Sequence, residues 1–193
     1  STKFTYTATN GLGVVASDAV NGIAVMAFDS ASEAATAAIY NAYSPFTITS
    51  NPVFEARLAI WDIGADATVD INFGLANDTH ATDFDAATRY AAFHLDGASL
   101  LLKAQSTDGT TTVAATTTGV TLVDNTYATF KVDASDLTNV KFYVNGTRVC
   151  AATTFNIAAW TGGCTPIIHV EKTTGTTLAD VRVDWLRCQG GRA

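Results

Sequence analysis

Charge is scarce in this chain. Asp, Glu, Lys and Arg make up 15% of its 193 residues, and the 11 Lys and Arg form no run anywhere. With 18 Asp and Glu the net charge is −7, so the long-range field repels a phosphate backbone and nucleic acid is not an expected partner. Uninterrupted apolar stretches are missing as well, which excludes a helical membrane span. Cysteine is limited to Cys150, Cys164 and Cys188. An odd number without a C-x-x-C fits a reducing assembly compartment better than a disulfide framework, although a Cys150–Cys164 bridge stays open. The opening STKFTYTATN carries no charged-plus-apolar leader, which fits a cytoplasmic product that has lost its Met or a mature secreted form. Glu and Lys, the strong helix formers, are sparse.

What is abundant points to sheets. Thr, Val, Ala and Gly suit strands and turns, and 48% hydrophobic residues with a mean hydropathy of +0.18 are too many for a disordered chain. A single domain over residues 1–193 is expected, with 1–51 as N-terminal strands or an arm and 52–189 as the regular part.

The most informative stretch is 127–151. Asn145-Gly146 supplies the two φ > 0 residues of a type I′ hairpin turn. The turn pairs Val144 with Thr147, Phe142 with Val149 and Val140 with Ala151 on the buried side. Tyr143 then meets Arg148 and Lys141 meets Cys150 on the wet side, where Tyr143 and Arg148 are placed for a cation–π contact.

Period-two alternation marks further strands. Phe54, Ala56, Leu58 and Ile60 face one way, as do Val69, Ile71, Phe73 and Leu75, and both runs read as half-buried. Turns at Asp96-Gly97 and Asp108-Gly109 pair Phe93 with Leu100 and Ala104 with Val113. Both send Leu100, Leu102 and Ala104 inward and leave Leu101 outside. In the last strand Val181, Val183 and Trp185 share a face opposite Asp180, Arg182 and Asp184. Ser30-Ala31-Ser32-Glu33 has capping-box spacing ahead of an alanine-rich segment, so local propensity favours one short helix near residues 30–40. Those alanines form no apolar stripe, and a sheet could override the propensity.

Phe54-Glu55-Ala56-Arg57, the strand at 69–75, Y-x-x-F-x-x-D-G at 90–97, F-Y-V-N-G at 142–146 and V-D-W-L-R at 183–187 together resemble the concanavalin A-like lectin/glucanase (LamG-type) jelly roll. The order of the motifs carries the resemblance, and it covers about residues 52–189. It implies an all-β antiparallel sandwich. The version with few catalytic-looking residues is similar to structural proteins of tailed bacteriophages. That likeness implies a non-enzymatic virion protein, a capsid decoration protein that binds the major capsid protein as a homo-oligomer on the virion surface. The other reading is a carbohydrate-binding module that stacks exposed aromatics on a glycan. Fold alone decides neither.

Chemistry finds little support in the residues. Sandwich glucanases need an E-x-D-x-x-E strand to place two carboxylates about 5–5.5 Å apart. The glutamates here are Glu33, Glu55 and Glu171, and none begins that motif. Asp62 with Asp66, in a connection, and Asp180 with Asp184, on a wet face, are the carboxylate pairs. Ile168-His169-Val170 resembles the middle of a jelly-roll lyase strand but lacks its Gln, and His169 with Glu171 reads as a surface ion pair. Asn77, Asp78, His80, Asp83 and Asp85 gather hard ligands in one loop without an ordered calcium pattern. No catalytic, cofactor-binding or metal set emerges. Partner or glycan contacts are expected at Trp61, Leu101, Tyr143, Arg148 and Trp160.

Overall fold

Because apolar side chains recur at every second position, most of the chain forms strands with one face turned to a shared core. A computed structural model describes residues 4–10, 14–17, 22–42, 44–61, 67–78, 83–176 and 178–190, with 14–17 described by backbone alone. The strands are β1 (Thr5–Thr9), β2 (Val14–Ser17), β3 (Ile23–Ala27), β4 (Ala35–Tyr40), β5 (Phe46–Thr47), β6 (Val53–Trp61), β7 (Val69–Ala76) and β8 (Tyr90–Asp96). They continue with β9 (Leu101–Thr107), β10 (Thr112–Thr121), β11 (Ala128–Asp133), β12 (Lys141–Val144), β13 (Thr147–Val149), β14 (Gly163–Lys172) and β15 (Asp180–Gln189). Sheet I runs β1-β4-β14-β7-β8-β9-β10, with β5 also on β14; sheet II runs β13-β12-β11-β6-β15-β3-β2. Every pairing is antiparallel, and the two sheets form the expected sandwich.

The core is aromatic at its centre. Phe73 and Phe93 of sheet I meet Phe130 and Phe142 of sheet II, with ring centroids 4.8–5.5 Å apart, and Phe155 packs edge-on against Phe142 at 4.7 Å. Gly74 lies with its Cα directly against the main chain of β8. A Cβ there would lie 2.4 Å from the Ala91 carbonyl oxygen and 2.8 Å from Ala92 Cα, both main-chain atoms that cannot swing away. Gly74→Ala is therefore expected to cost about 1–3 kcal/mol by forcing two strands apart. A thermal melt should show a fall of several degrees, against almost none for an exposed strand substitution.

The hairpin at Asn145-Gly146 has the expected register, Phe142↔Val149, Tyr143↔Arg148 and Val144↔Thr147, with φ of 49° and 79° at the turn. It ends sooner than the sequence suggests. Cys150 has φ 51°, which turns the chain away, so Val140 bridges Phe155 rather than Ala151. The other two hairpins have longer loops than expected. Phe93 pairs with Ala104, not Leu100; at the second turn Val113 pairs with Ser106, and a bulge between Val113 and Thr116 then brings Thr116 opposite Ala104. In each, an Asp closes the loop through its side chain: Asp96 Oδ1 accepts from Ala98 N at 3.0 Å, and Asp108 Oδ1 from Thr110 N and Thr111 N. The first shift is four residues, an even number, so Leu102 and Ala104 still point inward.

The expected helix near 30–40 is instead β4. Ala35, Ala37 and Ile39 join the core, while β1 and β14 hydrogen-bond to its two edges. Pairing on both edges outweighs the helix propensity of alanine. Lys172 Nζ donates to the carbonyls of Asp29 and Ala31, 3.0 Å each, and fixes the turn that leads in.

Candidate functional site

Two outer faces hold the chemistry. On sheet I the outward positions of neighbouring strands put Asn72, His94, Gln105, His169 and Glu171 in one patch, because the registers place His169 opposite Asn72, Asn72 opposite His94, and Glu171 opposite Asp70. Asn72 Oδ1 lies 3.0 Å from His94 Nδ1 and accepts from Gln105 Nε2 at 3.1 Å. A one-turn 3-10 helix, Phe84–Ala86, closes over this patch. Phe84 packs with Ala76, Tyr90, Ala92 and Ile167; its N–H donates to Glu171 Oε2 at 3.0 Å, and Gln105 Nε2 donates to Asp85 at 3.3 Å.

The patch is closed rather than open. His169 and Glu171 are 1% and 6% exposed and 3.4 Å apart, a buried pair and not the surface ion pair expected from sequence. Burial pushes the Glu171 carboxyl up to about 8, with Asp83, Asp70 and Asp85 adding repulsion against the Phe84 hydrogen bond. The carboxyl therefore holds its proton well above the usual carboxylate range. Asp70 is raised by the same desolvation. Glu171 and Asp70 stand opposite each other on adjacent strands, but Glu171 is buried under the Phe84–Ala86 turn while Asp70 is half-buried, so the two are not presented together on an open surface. The strand β7, expected to be half-buried, is for the same reason buried on both faces over Ile71–Ala76.

The outer face of sheet II is open. A groove of about 450 Å³ is walled by Trp185 of β15 and Tyr143 of β12, with Glu55, Thr129, Lys131 and Arg187 between them. Three strand spacings, about 14 Å, separate the two aromatics. Arg187 lies 5.5 Å from the Trp185 ring centre and its Nε donates to Glu55 at 2.5 Å; Lys131 lies 5.2 Å from the Tyr143 ring and 3.0 Å from Asp133. Burial acts against the Asp133 carboxylate, but hydrogen bonds from Ser135 and Lys131 hold it below its usual range. Glu55 hydrogen-bonds and charge-pairs with Arg187, raising the latter further above its already high value.

Trp185 was missed by the alternation pattern. A register shift between Val183 and Trp185 inserts Asp184 as a bulge and turns the indole outward, 36% exposed, while Leu186 and Cys188 turn to the core. The signal is in the sequence: apolar residues occupy odd positions at 181 and 183, then even ones at 186 and 188. Asp184 pairs with Arg57, and Asp180 with Arg182 at 3.3 Å, so neither is free for catalysis.

The other expected contacts divide. Tyr143 is half-exposed in the groove, and Arg148 is its ladder partner, but the cation over the Tyr143 ring is Lys131. Trp61 is half-buried with Arg182 stacked 3.3 Å from its ring centre, which covers that face. Leu101 is half-buried at the start of β9. Trp160 is 0% exposed and offers nothing to a ligand, because the turn from Ile157 tucks the indole under the sandwich. All three thiols are free, and it is Cys188, not Cys150, that sits near Cys164; burial raises both.

In the loop after β7, Asp83 accepts from Asp85 N at 2.7 Å, and Asn77 binds Arg89 N and Thr88, so these oxygens serve the loop itself. Among the described residues no three His, Cys, Asp or Glu converge to hold a metal. His80, Asp62 and Asp66 lie outside the described residues.

A model of the SO2946-like, C-terminal domain family matches residues 21–184. No curated protein matches the sequence. Among solved structures, the chain is similar to a Bacteroides ovatus GH16 protein from a mixed linkage glucan locus, in complex with a G4G4G3G product (TM-score 0.65, 11% identity, 96% of this chain and 94% of that one). It is also similar to the Emp47p carbohydrate recognition domain (0.61, 13%, 96% and 88%). A third is protein SO2946 from Shewanella oneidensis MR-1, of unknown function (0.55, 10%, 92% and 74%). These likenesses establish the concanavalin A-like jelly roll. The expected virion, coat-protein partner and oligomer find no support among them.

Proposed function

Since the chain belongs to the SO2946-like, C-terminal domain family, and its sandwich is built like those of glucan-cleaving and carbohydrate-recognising proteins, we propose that it is a glycan-binding module without catalytic activity. The observation that carries this reading is Trp185, lifted out of the core by its bulge to face Tyr143 across an open groove. Aromatic faces pack against the C–H faces of sugar rings, and a rigid sheet holds both rings at no cost in ordering. A separation of about 14 Å suits an oligosaccharide rather than a monosaccharide. The groove's volume lies within the range of ligand sites. The sheet I cluster supports the absence of catalysis in this reading, because Glu171 is buried and bonded to the Phe84 N–H rather than open to a substrate.

Affinity electrophoresis of the intact chain through gels containing polysaccharides tests this. Retardation is expected in at least one gel. Trp185→Ala should weaken it at least tenfold, while its melting temperature falls by no more than about 5 °C because the indole lies outside the core and is 36% exposed. No retardation in any gel, or retardation indifferent to Trp185→Ala, overturns the proposal.

A further inference from the structure

We infer that the groove on sheet II takes acidic glycans, chains bearing carboxylate or sulfate groups, in preference to neutral ones; this rests on the glycan-binding reading above. The first ground is where the charge sits. Outward positions of the sheet II strands carry Arg57, Lys131, Lys141, Arg148, Arg182 and Arg187, six of the 11 Lys and Arg in the chain. They face four carboxylates, Glu55, Asp133, Asp180 and Asp184. The other five cations of the chain stand against 14 carboxylates. One face is thus positive in a protein that is otherwise strongly acidic, and it is the face with the groove.

The second ground is the register. Arg148, Tyr143, Lys131, Glu55 and Arg187 are successive ladder partners across β13, β12, β11, β6 and β15. This row holds three cations and one carboxylate across four strand spacings, about 19 Å. Asp133, one row along, pairs with Lys131, and the Arg57–Asp184 pair beside Trp185 is self-neutralised. Arg148 has a buried Nε with no hydrogen-bond partner among the described residues. A carboxylate or sulfate laid along the row would meet Arg148 at one end and Arg187 at the other.

The third ground is how the aromatics are covered. Arg187 stands over Trp185 and Lys131 over Tyr143. A neutral sugar would have to displace these cations to reach either ring and would offer them only uncharged hydroxyl acceptors in return. An acidic sugar supplies the displaced cation with a charged partner while its ring packs on the aromatic. The Arg187–Glu55 pair opposes this only weakly, because the Arg187 side chain is 57% exposed and solvent-screened pairs are easily exchanged.

The test uses the intact chain at low salt in gels of polygalacturonate, alginate and chondroitin sulfate against laminarin and mixed-linkage β-glucan, with single-stranded DNA as an anionic polymer of another class. At least tenfold tighter retention by an acidic glycan is expected, falling steeply between 0.05 and 0.3 M NaCl as the Debye length shrinks from about 14 Å to about 6 Å. Lys131→Gln with Arg148→Gln should remove most of that preference, while Arg182→Gln, on the same sheet but stacked on Trp61, should keep it. Equal retention by a neutral glycan, lost in Trp185→Ala, overturns the acidic preference and leaves the binding module standing. Retention by DNA alone overturns both, as does no retention by any polymer.

Discussion

Phe93→Ala is expected to lower the stability of the protein by about 3–5 kcal/mol. Phe93 is fully buried at the middle of β8 and touches Phe73 at 5.3 Å, Phe130 at 5.5 Å and Phe142 at 5.1 Å. Phe73 lies in the same sheet, while Phe130 and Phe142 lie in the opposite one, so a single side chain joins both halves of the sandwich. Removing it leaves a cavity bounded by strands paired on both edges, β7, β8, β11 and β12, which cannot collapse into the space. The loss is a large share of the ~5–15 kcal/mol that holds a typical domain together. Denaturant titration should show a lower midpoint with an unchanged slope, and a thermal melt a fall of roughly 6–20 °C for a chain of this length. A change below about 1 kcal/mol would mean that the aromatic cluster is not the link between the sheets.

Glu171 gives the second large effect, and it depends on pH. Its carboxyl titrates near 8 in the folded protein against 4.5 when unfolded. Below pH 4.5 both states hold the proton and the group is neutral to stability. Between about 4.5 and 8 the unfolded chain releases its proton while the fold retains it, so stability falls as pH rises and levels off above 8. One unit of difference is about 1.4 kcal/mol, which sets a ceiling of about 5 kcal/mol for the whole interval. Glu171→Gln keeps an acceptor for the Phe84 N–H and cannot ionise. Its stability should therefore exceed that of the parent at pH 8 by several kcal/mol and match it near pH 5. Asp108 and Asp133, both held low by hydrogen bonds to their ionised forms, act the other way and lose their contribution only as pH falls below the usual carboxylate range. The combined contribution of these three groups favours the fold most near pH 5. Parallel pH profiles for parent and variant would show that Glu171 ionises freely and that the cover of Phe84 is loose.

Much of the sandwich was legible in local pattern. The Asn145-Gly146 turn, being two residues long, fixed its own register, and the inward set of β6 followed from simple alternation. Longer Asp-closed turns hid the registers at Asp96 and Asp108, because the number of residues taken up by a loop depends on side-chain hydrogen bonds that composition does not reveal. Residues 35–40 misled for a different reason: alanine favours helix by itself, and only the long-range partners β1 and β14 make it a strand. The functional faces were half legible. The hairpin places Tyr143 and Arg148 outside, but strict alternation puts Trp185 on the face of Val181 and Val183 because it does not anticipate a bulge. Trp160 failed the other way, since nothing nearby in sequence signals that the turn at Ile157 buries it. Closure of the sheet I patch rests on Phe84 reaching Glu171 across 87 positions, a contact that no local rule provides.

The glycan-binding groove is tested most directly by the indole N–H resonances of the three tryptophans in a titration with the polysaccharide fragment that the gels select. Trp160, fully buried, serves as the internal reference, and Trp61 reports the same sheet beneath its Arg182 stack. The expected result is a saturable shift of the Trp185 indole N–H with Trp160 unmoved. An unmoved Trp185 alongside shifts in the side-chain amides of Asn72 and Gln105 would place the ligand on sheet I and contradict the account.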